Sequence, residues 1–392
     1  MLRRVFIAVI FSILAALPGA VGAQKGKIKV AVQAPLSGEQ AALGEHIKLG
    51  AQLAVEEATK AFKALGYELI LVPYDDQAKP EVGVANARNL VADPEVLLLV
   101  GHFNSGVALP ASEVYKDAML AMVSPANTAT EITDRGFPNV NRVCGRDDVQ
   151  GPVGARFAAQ ELKAKSVYII HDKTLYGQGV ADNFRSEAEK LGLKVLGYEG
   201  TEERANFAPM IIPMKAKKPD LVYFGGIYHQ GGLLLKQMRE KGVKAIFMGP
   251  DGLDSSEMVK ITGPHVVGSY YTTVAGPPQA YPESATFAKK FKQRFGKEVE
   301  SFAMYGYDAA QVGIKAIEQT LQTNGGKKPS RAEISAAVRN IKGFRGVTGT
   351  IAFDEKGDPL KAKYFVLRFE KQSYPGKVAK VIEQQAPSGK KS

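Results

Sequence analysis

Two doubly wound α/β lobes, each built on a parallel sheet, are what this sequence predicts. Three observations carry the prediction. From Lys27 onward, short β-branched runs alternate with amphipathic stretches at helical spacing, the pattern of strands joined by crossover helices. The alternation comes as two successive series of similar plan, the second beginning near Gln150. The 392 residues, 45% of them hydrophobic and 23% charged, exceed what one ordinary core accommodates.

In the first series IKVAVQA (28–34) is a strand, and 41–65 is a helix with Leu49, Leu53, Ala54 and Ala58 near helical spacing. Residues 68–72 form the second strand. Pro80 opens a helix to 92, a favoured place for proline, and VLLLV (96–100) reads as a strand buried on both faces. A helix over 105–116 and a strand over 119–123 follow. The second series runs helix 150–162, strand 166–171, helix 176–191, strand 194–198, helix 207–217, strand 221–224, helix 231–241 and strand 245–248. After 268–273 come helices at 281–295, 305–323 and 330–341, then strands at 349–353 and 362–370. Residues 385–392 are expected to be a disordered tail.

The first residues, MLRRVFIAVIFSILAALPGAVGAQ, place Arg3 and Arg4 before an apolar stretch that ends in small residues. This reads as a signal peptide over 1–23 cleaved after Ala23, since Pro18, Gly19 and Gly22 interrupt it before the roughly 20 apolar residues of a span. The expected mature protein is soluble and extracytoplasmic. Cys144 is the single cysteine, which rules out an intramolecular disulfide, and none follows the leader to accept a lipid. The formal charge of +11 comes from bases scattered through helices alongside acids, a solvated surface rather than a nucleic-acid footprint.

In open parallel sheets ligands gather at the carboxyl ends of strands. The segments there are small and polar: Gly101-His102-Phe103-Asn104-Ser105-Gly106 and Ser124-Pro125-Ala126-Asn127-Thr128 in the first series. Two such loops can make an anion site from helix-start amides and hydroxyls, although Ser105 and Thr128 can equally be plain helix caps. The second series offers His171-Asp172-Lys173-Thr174-Leu175-Tyr176-Gly177, Gly225-Gly226-Ile227-Tyr228 and Gly249-Pro250-Asp251-Gly252. Asp251 can accept charge-assisted hydrogen bonds from an ammonium among tyrosine rings, or simply begin a turn. The five histidines show no metal-ligand spacing, and neither GxSxG nor GxGxxG occurs, so no metal, cofactor or catalytic residue is expected. The rival from another class is a secreted hydrolase using Ser105 with His102 or His171.

The ordered segments IKVAVQAPLSG, YDDQAKP, VGHFNSG with PASEVY, MVSPANTATEIT, RDDVQGP, IIHDKTLYGQG, VYFGGIYHQGG, FMGPDG and GVTGTIAFDEKGD resemble the leucine/isoleucine/valine-binding proteins of ABC importers. The resemblance implies the type I periplasmic binding fold, with a three-segment hinge near Cys144, Thr273 and Phe353. Its lobes would be 24–145 plus 274–354 and 146–273 plus 355–384. It implies that Ser105 and Thr128 by hydroxyls, and Ala126 by backbone, hold an amino acid's carboxylate, while Tyr176, Tyr228 and Asp251 close over its ammonium. A monomer that releases an amino acid, branched-chain or otherwise apolar, to an inner-membrane ABC permease is the implied function. A short amide, urea or aromatic acid is the alternative ligand. Two departures bear on the side-chain pocket, for which Leu43, Phe103 and Asn104 are the candidates: the family's tryptophan is Leu43 here, and the positions of its frequent small disulfide are Ala78 and Asn104.

Overall fold

The computed structural model describes residues 25–385. The leader reading and all but the first residue of the expected tail lie outside the described residues.

The first sheet is formed by β1 (Gly26–Ala34), β2 (Tyr67–Asp75), β3 (Val96–Gly101), β4 (Ala121–Ser124) and β5 (Val140–Arg142). They are all parallel, in the order β2-β1-β3-β4-β5. Helices α1 (Ala41–Ala64), α2 (Pro80–Ala92), α3 (Ser105–Asp117) and the single turn α4 (Glu131–Asp134) connect them. Because successive strand residues face opposite ways, each buried strand serves two cores. Val30, Val32, Leu98 and Val100 join one hydrophobic cluster that includes α1 residues, while Ala31, Leu99 and Met122 join Leu90, Ala108 and Tyr115 of α2 and α3 in the other.

The second sheet repeats the plan. Helix α5 (Asp147–Gln160) leads to β6 (Ser166–His171), α6 (Leu175–Lys190), β7 (Lys194–Gly200), α7 (Ala208–Lys217), β8 (Leu221–Gly225), α8 (Tyr228–Glu240), β9 (Ile246–Gly249), α9 (Ser256–Thr262) and β10 (Tyr270–Thr273). The five strands are parallel, in the order β7-β6-β8-β9-β10, the same winding as the first sheet. The chain then returns through α10 (Ser284–Phe295), α11 (Ser301–Thr323) and α12 (Arg331–Arg339). Ile317, Ile334 and Val338 from this return lie in the cluster under the first sheet. After the small hairpin β11 (Phe344–Arg345) and β12 (Thr350–Ile351), strands β13 (Lys361–Arg368) and β14 (Lys377–Gln385) add antiparallel to the second sheet beside β10. The chain therefore passes between the sheets three times.

Five expectations need correction. Helix α8 begins at Tyr228, not Gly231: Ile227 is its extended N-cap, and its carbonyl accepts the Gly231 amide. Gly231 is there for close packing, since a Cβ would stand 2.6 Å from Leu253 Cδ2. Helices α10 and α11 begin at Ser284 and Ser301, because Pro278–Ala280 forms a separate 3₁₀ turn and Glu300 is an extended N-cap. The strand expected over 349–353 is only Thr350–Ile351, plus one bridge from Phe353 to Pro359. Strand β14 was not anticipated. It is an edge strand whose KVAKVIEQQ alternation is weakened by a register shift opposite Val366 and Leu367, and Gln385 of the expected tail ends it.

Candidate functional site

Both sheets reverse winding between their first and third strands, and the loops at those carboxyl ends face each other across a cleft. On the first lobe, Ser105 opens α3 and is 1% exposed. Its Oγ accepts the Ala129 amide at 3.3 Å, which ties the 101–106 loop to the 124–129 loop. The second loop is shaped by Ser124, whose Oγ receives the amides of Ala126 (3.3 Å) and Asn127 (2.9 Å). Asn127 locks the pair together, its Oδ1 accepting the His102 amide and its Nδ2 donating to the Phe103 carbonyl, both at 2.9 Å. The backbone N–H groups of Ser105, Gly106 and Thr128 make no hydrogen bond among the described residues, and neither does the buried Thr128 hydroxyl. Unpaired amides at a helix start, with two hydroxyls beside them, are a cradle for a carboxylate.

This cradle is braced from behind. His102 is fully buried, with Nδ1 3.2 Å from Asp76 and Nε2 3.2 Å from the Tyr115 hydroxyl, which donates onward to Gln33 at 3.0 Å. The His171 ring lies tilted against Tyr198, with centroids 5.1 Å apart, and accepts the Lys173 amide at 3.2 Å. These commitments hold both histidines in supporting roles, and His102 is not free to serve Ser105 as a base.

On the second lobe, Thr174 caps α6 by accepting the Gly177 amide at 2.9 Å, and this sets Tyr176 in the first turn. The Tyr176 hydroxyl donates to Asp251 Oδ1 at 2.6 Å and accepts the Gly252 amide at 2.8 Å, fixing the carboxylate's direction. Burial pushes the Asp251 carboxyl up to about 6, while the Tyr176 hydroxyl and the Gln150 amide beside it pull the other way. Tyr228 is also buried, but its hydroxyl crosses the cleft and donates to the Glu39 carbonyl at 2.6 Å, not to Asp251.

Two residues of this site escaped the sequence reading. Asp147 and Gln150 lie in the first turns of α5, both fully or almost fully buried. Neither oxygen of Asp147 and neither polar atom of the Gln150 amide has a directed hydrogen bond among the described residues. Burial and the neighbouring Asp251 charge hold the Asp147 carboxyl well above the usual range, and Thr128 lies beside it. The Asp147 amide donates to the Thr128 carbonyl at 2.9 Å. Asp147 thus borders the carboxylate cradle and Asp251 at once. The sequence pattern began this helix at Gln150, which left Asp147 as a loop residue, whereas the helix starts at Asp147 itself.

The pocket candidates are placed unevenly. Leu43 is fully buried in the first turn of α1. Phe103 packs edge-on against Phe302 with centroids 5.7 Å apart. Asn104 donates to Gln40 at 2.7 Å. No group of three metal-ligating side chains occurs among the described residues, and no described helix is long and apolar enough to cross a membrane.

Two doubly wound lobes, joined by three chain passages and facing one another with strand-end loops, define a hinged cleft receptor. A family model described as periplasmic binding protein matches residues 27–373, and the chain belongs to that family. It is 37% identical to Leu/Ile/Val-binding protein homolog 2 of Brucella abortus (strain 2308), over 89% of this chain and 92% of that one. Among solved structures, the leucine-binding protein LivK of Thermotoga maritima superposes with a TM-score of 0.82 at 29% identity, covering 91% of this chain and 98% of that chain. A solute-binding protein of an ABC transporter from R. palustris, in complex with benzoate, shares the fold with a TM-score of 0.79 at 21% identity, covering 92% of this chain and 96% of that chain.

Proposed function

We propose that this protein captures an α-amino acid with an apolar, branched-chain type of side chain and delivers it to an ABC permease, acting as an extracytoplasmic monomer after loss of residues 1–23. One observation carries the reading: unpaired amides and hydroxyls around Ser105 and Thr128 stand opposite the Tyr176–Asp251 pair, with Asp147 bordering both. Such an arrangement suits a ligand whose anionic and cationic groups are one carbon apart. Ser105, Ala126 and Thr128 take the carboxylate; Asp251, oriented by Tyr176, takes the ammonium; the Tyr228 ring closes the site. The lobes are 24–145 plus 274–354 and 146–273 plus 355–384. Ligand stabilises the closed form through contacts available only when both lobes meet, and no bond is made or broken. Relatives named for leucine, isoleucine and valine support the choice of side chain.

The test is a thermal-shift screen of protein unfolded and refolded to strip carried ligand, against the amino acids, short amides, urea and aromatic acids. A rise in midpoint with leucine, isoleucine or valine, weakened at least tenfold in affinity by Asp251→Asn, is the expected result. A rise with benzoate-type acids alone would replace the amino acid by an aromatic acid and leave Asp251 without a cation to pair.

A further inference from the structure

At the mouth of the cleft an acidic side chain of the first lobe, Glu39, reaches basic and hydroxyl groups of the second. Glu39 sits in the 3₁₀ turn Gly38–Gln40 that follows β1. Its Oε2 lies 2.8 Å from Arg204 Nη1 and 3.4 Å from His229 Nδ1, and its carbonyl accepts the Tyr228 hydroxyl at 2.6 Å. All three partners belong to the second lobe. Both sides are braced before they meet. The Arg204 loop is wound around Glu203, whose Oε1 receives the amides of Arg204, Ala205 and Asn206 at 2.9, 2.8 and 3.0 Å, and Gln230 donates to the Glu203 carbonyl at 2.8 Å. Opposite, Gln40 accepts from Asn104, the residue directly before Ser105, at 2.7 Å. Nearby acids have their own partners: Glu45 pairs with Lys297, Glu257 with Lys260, and the largely buried Glu300 lies 3.7 Å from His46 Nε2 and accepts the Ser256 amide at 3.4 Å. A cavity of about 600 Å³ opens beside it, lined from both lobes by Leu36, Ala42, Lys48, Tyr228, Glu257 and Ile261.

We propose that Glu39 is a retention residue: its ion pair with Arg204 spans the cleft mouth and must break before a bound ligand leaves. This rests on the closure described above, but not on which ligand is held. In the open form the partners stand apart, so the pair adds nothing to capture and acts on release. Glu39 and Arg204 are both exposed, which limits the effect to a few-fold and makes it sensitive to salt.

The experiment is stopped-flow tyrosine fluorescence on the mature chain, which has no tryptophan, with L-leucine as probe, or benzoate where leucine is not retained. Glu39→Gln and Arg204→Gln should each speed release about threefold while leaving association within about twofold. The double variant should be no faster than either single one, and the swap Glu39→Arg with Arg204→Glu should restore slow release. Added 0.5 M NaCl (about a 4 Å screening length) should speed release from wild type alone. Arg156→Gln, which breaks the Arg156–Glu187 pair within one lobe, should change nothing. Unchanged release, additive effects or a change confined to association would overturn the proposal. If wild type holds neither probe, the binding reading fails, and the latch is judged by small-angle scattering: Glu39→Gln must have a larger radius of gyration than wild type, and equal radii overturn it.

Discussion

Arg142 Nε lies 2.5 Å from Asp358 Oδ1, which joins the first passage between the sheets to the third. The same guanidinium donates through Nη1 to the carbonyls of Asn127 (2.8 Å) and Ala129 (2.9 Å), on either side of Thr128, and through Nη2 to Thr133. Arg146 adds a second contact to Asp358 at 2.7 Å. Burial alone would disfavour a charged Asp358, yet the two guanidiniums hold its carboxyl below the ordinary range. A fully buried arginine therefore ties the third passage between the sheets to the loop around Thr128.

Removing one member of this pair leaves an uncompensated buried charge. Asp358→Asn should cost about 3 kcal/mol in chemical denaturation, whereas Arg142→Met combined with Asp358→Leu should cost less than the single change. A loss below about 1 kcal/mol for Asp358→Asn would mean that the pair is dispensable.

As the proposed partner of the ammonium, Asp251 should give binding a pH signature. With its carboxyl pushed up to about 6, it is only partly ionised in weak acid, and protons compete with the ligand's ammonium. Affinity for L-leucine should fall about tenfold from pH 7 to pH 5 in titration calorimetry, and Asp251→Asn should bind weakly with no such slope. The folding consequence has the opposite sense. Asp172, Asp251 and Asp308, each raised to about 6 by burial, and Asp254, raised to about 7, contribute stability that is fully present below about pH 4 and is lost as pH rises through 6 to 7. Asp358 works the other way, its contribution present above about pH 4 and lost below it.

The alternation of strands and helices and the strand-end loops were legible because each depends on short-range pattern, whereas the pairing of Tyr176 with Asp251, 75 positions apart, was not. Ser105 and Thr128 stood out as small polar residues at helix starts following buried strands. What was not legible arises from distant contacts. Tyr228 reaches Glu39 across 189 positions, and no local pattern announces that its hydroxyl leaves Asp251 for the opposite lobe. Asp147 and Gln150 look like an ordinary polar helix start until the second sheet buries them beside Asp251. Strand β14 is stabilised by pairing with β13 more than by its own alternation.

The buried Asp147 carboxyl, next to Asp251 and without a directed hydrogen bond, raises the energy of the empty site. Asp147→Asn puts a neutral group of the same shape in place of a carboxyl that burial and the Asp251 charge hold above the usual range. It should stabilise the ligand-free protein by about 1 kcal/mol at alkaline pH and leave the pH midpoint of leucine binding unmoved, since burial is what raises Asp251. A loss of affinity beyond tenfold at pH 8 would instead make Asp147 a direct partner of the ammonium.

Leu43 decides how the missing tryptophan is to be understood. It is fully buried in the first turn of α1 and belongs to the same hydrophobic cluster as Ile47, Phe103 and Phe302. A side chain that packs a core leaves a void when cut back and strain when enlarged. Leu43→Ala should therefore destabilise the ligand-free protein by about 2–4 kcal/mol, and Leu43→Trp by about 1–3 kcal/mol, in urea unfolding. If Leu43→Trp left stability unchanged and altered only the preference between valine and leucine, the space beside Leu43 would belong to the ligand's side chain rather than to the core. The urea midpoint and the valine-to-leucine affinity ratio of this one variant thus separate the two roles.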